Sequence, residues 1–125
     1  MGKAKKSATA EPKNSGKLPK PPRPFEEFSR AYPGVARAYE ALGKAVRASG
    51  PLSEREIALV KLGISLGARL EGGAHAHTRK ALAIGIEPDA LRQAAILTAP
   101  TLGFPVMMAS LGWVEETIAG GRKRR

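Results

Sequence analysis

The segment Ser53-Glu54-Arg55-Glu56 followed by IALVKLGISLGARL constrains this chain more than any other. Ser53 at N-cap and Glu56 three residues on form a capping box, in which each side chain satisfies the other residue's backbone N–H. The body that follows carries Ile57, Leu59, Val60, Leu62, Ile64, Leu66 and Leu70, so it is apolar on nearly every side. A helix with so little polar surface is stable only when other elements surround it. It is therefore expected to be central, and the rest of the chain must supply its cover. Gly63 and Gly67, four residues apart, are expected to admit a neighbouring helix closely.

The covering elements also read as helices. Phe25, Phe28 and Tyr32 lie on one face of a short helix that Pro33-Gly34 breaks. Val35, Ala38, Tyr39, Leu42 and Val46 line a second, ended by Gly50-Pro51. Gly72-Gly73 is expected to end the central helix, and AHAHTRKALAI to form the next, closed by Gly85. Glu87-Pro88-Asp89 opens another, with proline in the first turn and acids at the positive end of the dipole. The chain is expected to break over Thr98–Thr101 and Gly103-Phe104-Pro105, and a last helix to run from about Pro105 to Ala119. Its apolar surface (Val106, Met107, Met108, Leu111, Trp113, Val114, Ile118) exceeds what one helix of a small monomer usually buries. No segment alternates with the period of a strand. The fold class expected is an all-α, single-domain bundle of about six helices over residues 25–120.

The formal net charge of +10 belongs to the ends. Residues 1–24 hold Lys3, Lys5, Lys6, Lys13, Lys17, Lys20 and Arg23 against Glu11, and the chain closes on Arg122-Lys123-Arg124-Arg125. Acids and bases balance in between. The Lys/Pro/Ser/Gly-rich 1–24 segment has too little apolar surface to offset its ordering entropy and reads as a disordered basic tail, with 121–125 as a second. Such tails either contact nucleic acid or another anionic partner through salt-sensitive phosphate contacts, or serve only to solubilise. No aromatic side chain is interleaved to stack on bases.

The chain contains no cysteine, which excludes thiolate metal sites and thiol redox chemistry within it. No apolar run reaches membrane-span length and no signal-like segment opens the chain, so a cytoplasmic protein without membrane contact is expected. A domain of this size buries a modest share of its surface, which makes self-association a natural source of further stability.

The two histidines, His75 and His77, stand beside the Gly-Gly pair, with Glu71 four residues before His75. A carboxylate and an imidazole at i, i+4 share a helix face and suit general acid–base catalysis near neutral pH. A plain surface pair accounts for them equally well. His75 and His77 are about 200° apart on a helix and cannot share a face. Chelation by His75, His77 and Glu71 would require an extended corner, and no full metal-ligand set is visible. Glu56 has its explanation in the capping box. Arg69 and Arg79 flank the corner and could hold a substrate carboxylate, or simply face solvent. Trp113, Met107 and Met108 read as packing residues.

Three pieces together resemble the carboxymuconolactone decarboxylase and alkylhydroperoxidase D-like superfamily: LSEREIALVKLGISLG, HTRKALAIGIEPDALRQAAIL and LGFPVMMASLGWV. The resemblance covers roughly residues 50–115. It implies an alkylhydroperoxidase D-like helical fold, a homotrimer or homohexamer, and, in the decarboxylase branch, cofactor-free proton-transfer chemistry of a lyase on a small carboxylate-bearing molecule. The redox branch carries a Glu, then Cys-x-x-Cys, then a His. Matched from the downstream glycine corner, that His falls on His77, the cysteine positions on Leu70 and Gly73, and the Glu on Ala58. Counted from Glu56, the His falls on His75 and the second cysteine position on Glu71. In either register the thiols are missing, so peroxidase or disulfide-reductase chemistry has no support. The residues the resemblance marks as catalytic are Glu71, His75, His77 and Glu56.

Overall fold

The structure, a computed structural model, describes residues 23–123, with side chains over 24–120. Seven helical segments follow one another: α1 (Arg23–Ala31), α2 (Pro33–Arg47), α3 (Glu54–Gly67), α4 (Glu71–Ala83), α5 (Pro88–Ile96), α6 (Ala99–Leu102) and α7 (Phe104–Lys123). The described residues contain no strand. Six of the helices are those expected from the sequence, and α6 is a single turn in the stretch read as a break. Most of the proposed basic tail, 1–22, and the last two residues lie outside the described residues. Its last two positions, Arg23 and Pro24, begin α1, and α7 continues four residues past its expected end to Lys123.

α3 is covered on one side only: Leu62 and Leu66 are buried, whereas Val60 and Ile64 on its other side are exposed, so it is not the fully surrounded helix its composition suggests. It packs on α4 and α5, and α7 closes the other side of both α4 and α5. Leu62 and Leu66 of α3 meet Ala74 and Ala81 of α4, Ile86 before α5, Leu91 and Ala95 of α5, and Val114 and Ile118 of α7 in one continuous core. Arg92 ties α5 to α7 through a two-toothed contact with Glu115, at 2.9 and 3.1 Å. α1 and α2 pack on one another, and only Ala36 of α2 is buried. Their apolar stripe, Phe28, Tyr32, Val35, Tyr39, Leu42 and Val46, is exposed.

The turn from α3 to α4 differs from the expected Gly-Gly corner. α3 already stops at Gly67, and Gly72-Gly73 lie inside the first turn of α4. Leu70 N–H reaches Ser65 C=O at 2.8 Å and Arg69 N–H reaches Leu66 C=O at 3.2 Å, the two bonds of a Schellman motif. Arg69 takes the left-handed conformation, φ 61°, that glycine usually fills. The same motif ends α4, with Gly85 at φ 94° and Ile86 N–H bonded to Ala81 C=O at 3.0 Å. The close approach between helices is at Gly73, where an added Cβ would lie 2.8 Å from Ser65 Oγ. It is not at Gly63, which has nothing near it, and Gly67 meets only Leu102, at 3.8 Å.

Candidate functional site

α4 presents two different chemical faces because its histidines are two residues apart. The helix is continuous from Glu71 to Ala83, so the extended corner that chelation by both histidines would need does not exist. It also makes Glu71 and His75 true i, i+4 neighbours, with His75 Nε2 3.6 Å from Glu71 Oε2.

His75 faces α7. Its Nδ1 lies 2.5 Å from Thr117 Oγ1, and that hydroxyl donates to Trp113 C=O at 3.2 Å. A threonine hydroxyl has one proton. With that proton given to Trp113, Oγ1 accepts from His75 Nδ1–H, which leaves Nε2 as the outward nitrogen. A second carboxylate, Glu116 of α7, brings Oε1 to 3.7 Å from the same Nε2.

His77 faces the α3 side. Ser65 opposes Gly73 across the antiparallel α3–α4 pair, so one helical turn along each helix Lys61 opposes His77. Lys80, three residues beyond His77, shares its face. Burial, and then the charges of Lys80, Lys61 and Arg47, push the His77 pKa down to about 4. Burial, followed by Arg47, lowers the Lys61 pKa. Lys80 is exposed by area, yet the protein around its ammonium desolvates it, and this, more than Lys61, Arg47 and Arg79, lowers its pKa. No carboxylate is among the groups that set the Lys61, His77 and Lys80 pKa values. Lys61 and Lys80 were not singled out from the sequence. The available signal was Lys61 itself, a lone charge inside an otherwise apolar helix body.

The remaining candidates are occupied elsewhere. Glu56 accepts from Ser53 N–H at 2.9 Å and Ser53 Oγ accepts from Glu56 N–H at 3.1 Å, so its carboxylate serves the cap. Arg69 donates to Leu66 C=O and to Ser110 Oγ, both at 3.2 Å, and its guanidinium lies 4.6 Å over the Trp113 ring. Arg79 is exposed on α4. Of the three packing residues, Met107 is buried and Trp113 packs against the core, while Met108 is exposed. An open apolar groove of about 540 Å³ lies between α3, α5 and α6, lined by Leu59, Val60, Gly63, Ala94, Leu97 and Leu102 among others, and neither histidine borders it.

The carboxymuconolactone decarboxylase family model matches residues 33–116. This chain belongs to that family. The match takes in α3, α4 and α5, both histidines, and α7 as far as Glu116. Among curated proteins and solved structures nothing matches. Helices are the only regular elements among its described residues, and the chain has no thiol with which to run redox chemistry. No helix of the described residues is long and apolar enough to cross a membrane.

Proposed function

We propose that this family member is a thiol-independent, cofactor-free, cytoplasmic proton-transfer enzyme acting on a small carboxylate-bearing molecule, with its chemistry on the His77 face of α4. One observation carries the reading. Lys61 and Lys80, each partly withdrawn from water and without an acidic partner among the described residues, flank an imidazole that makes no hydrogen bond to them. Partly desolvated cations with no countercharge favour an anionic ligand more strongly than solvated ones do. Lys61 and Lys80 would hold the substrate carboxylate, with Arg47 adding to the field. As CO2 leaves, the electrons of the broken C–C bond stay on the substrate as a dienolate, which the same cations stabilise. A neutral His77 relays one proton to the dienolate carbon from the Lys80 ammonium, whose pKa is lowered, and the lysine regains that proton from water. The register that ends on His77 supports this assignment. It puts the two absent thiol positions at Leu70, the N-cap of α4, and Gly73 in its first turn, where a helix terminus activates thiols.

The test is CO2 release from a carboxymuconolactone by the purified full chain. Both His77→Gln and the Lys61→Met/Lys80→Met pair are expected to lower kcat/KM by about 100-fold or more. Full activity in His77→Gln, with loss in His75→Gln, would move the chemistry to the Glu71–His75 face and refute this assignment.

The exposed apolar stripe of α1 and α2 supports a homo-oligomer, a trimer or hexamer, in which that stripe is covered by another copy. The basic ends support a second role, salt-sensitive contact with nucleic acid, because they hold the whole net charge. Removing residues 1–22 and the last four should abolish that contact and spare turnover.

A further inference from the structure

We infer a divalent transition-metal site on the opposite face of α4 from His77, built from Glu71 and His75 of α4 and Glu116 of α7. Its ligand atoms, one from each residue, lie within 4.8 Å of one another. Three features distinguish it from an ordinary ion pair.

The first is spacing. His75 Nε2 stands 3.6 Å from Glu71 Oε2 and 3.7 Å from Glu116 Oε1, too far for hydrogen bonds. Ligands about 2.1 Å from a tetrahedral zinc ion are separated by about 3.4 Å, so small side-chain movements would bring all three onto one ion. The second is the fixed ring. Thr117 Oγ1, its own proton donated to Trp113 C=O, accepts from His75 Nδ1–H, so a neutral His75 aims its Nε2 lone pair between the two carboxylates. Metal-binding histidines are held in this way by a partner on the far nitrogen. The third is the donor set. One imidazole and two carboxylates, half open to water, match a site with three protein ligands and a position left for water or substrate. Glu115, the neighbouring acid, is engaged by Arg92 and takes no part. Thr117 is a positioning residue and not a ligand.

The site stands independently of the proton-transfer reading, because its residues and its readout are different. The experiment is titration of the full-length, tag-free chain with Zn2+ alone at neutral pH, followed by calorimetry and by the rise in Tm that binding to the folded state produces. Saturable binding of one ion per chain is expected. Glu116→Gln, an exposed substitution that leaves the core untouched, and Glu71→Gln should each weaken it more than tenfold. Thr117→Val keeps every ligand and should weaken it by about 10- to 100-fold. Glu54→Gln should leave it unchanged. The proposal is overturned by an absence of saturable binding, by equal affinity in the Glu71→Gln/Glu116→Gln pair, or by binding that His77→Gln removes and His75→Gln does not.

Discussion

The Arg69 guanidinium lies 4.6 Å over the Trp113 ring and, through that contact, holds a backbone conformation that arginine rarely adopts. At φ 61° the Cβ of Arg69 crowds its own backbone, at a cost of about 1 kcal/mol. The ring contact and the bonds to Leu66 C=O and Ser110 Oγ offset it. Arg69→Ala keeps the crowding and loses the contacts, so it should destabilise by about 1–2 kcal/mol. Arg69→Gly loses the contacts but removes the crowding, and should be the milder change. Urea denaturation of both variants measures the difference. Equal loss in the two would mean the backbone conformation is not strained.

Acid should weaken the fold through His77. Its folded pKa, about 4, lies below the ordinary histidine value of 6.5. Between those values the unfolded chain binds a proton that the folded chain resists, so stability falls as pH drops from about 6.5 and levels off below about 4. Discounted for partial exposure, the loss is about 1–2 kcal/mol. Denaturation midpoints at pH 7, 5.5 and 4.5 should show it. The share of the slope due to this group disappears in His77→Gln.

Thr78 is fully buried on α4, and its Oγ1 has no hydrogen-bond partner. Burying an unsatisfied hydroxyl is costly, and valine has nearly the same shape. Thr78→Val should therefore raise stability by about 1 kcal/mol. A lower Tm would show that the hydroxyl is satisfied by a water.

Leu66 is fully buried where α3 meets the core. Leu66→Ala should cost about 2–5 kcal/mol, whereas Ile64→Ala on the same helix, at an exposed position, should cost far less in the isolated chain. Thermal melts of the pair test whether the core lies where α3, α4, α5 and α7 meet.

Tyr39 and Leu42 sit in the middle of the exposed α2 stripe. If that stripe joins copies of the chain as proposed, a Tyr39→Glu/Leu42→Glu pair should shift it to smaller species by light scattering while leaving helix content intact. A wild-type chain that runs as a monomer at all concentrations would remove the basis for that prediction.

What was legible in the sequence was local. The capping box at Ser53 and Glu56 spans three residues, and the proline start of α5 acts within one turn, so each reads correctly in isolation, whereas Pro33, read only as a break, in fact opens α2. The all-round apolar character of α3 overstated its cover, because composition does not say which side other helices reach, and Val60 and Ile64 stay exposed. The α3–α4 corner was misplaced because glycine is only the commonest way to reach a left-handed turn. Here Arg69 makes it, supported by Trp113, a residue far along the chain. Glu71 and His75 were legible as a pair because they are one helical turn apart. Glu116 and Thr117 were not, since only the packing of α7 on α4 brings them to the same ring. Lys61 and Lys80 were missed because their meaning is the absence of a countercharge, and an absence requires knowing every neighbour.

By itself, then, the sequence determined the helices, their order, the absence of thiol chemistry and the impossibility of a shared helix face for His75 and His77. Hydrogen-bonding distance and side-chain periodicity are properties of a few consecutive residues. Tertiary structure alone decided what each histidine faces. His75 meets Thr117 and two carboxylates, whereas His77 meets desolvated cations. Electrostatic environment depends on burial and on charges from other helices, and those are fixed only when α3, α4 and α7 pack together.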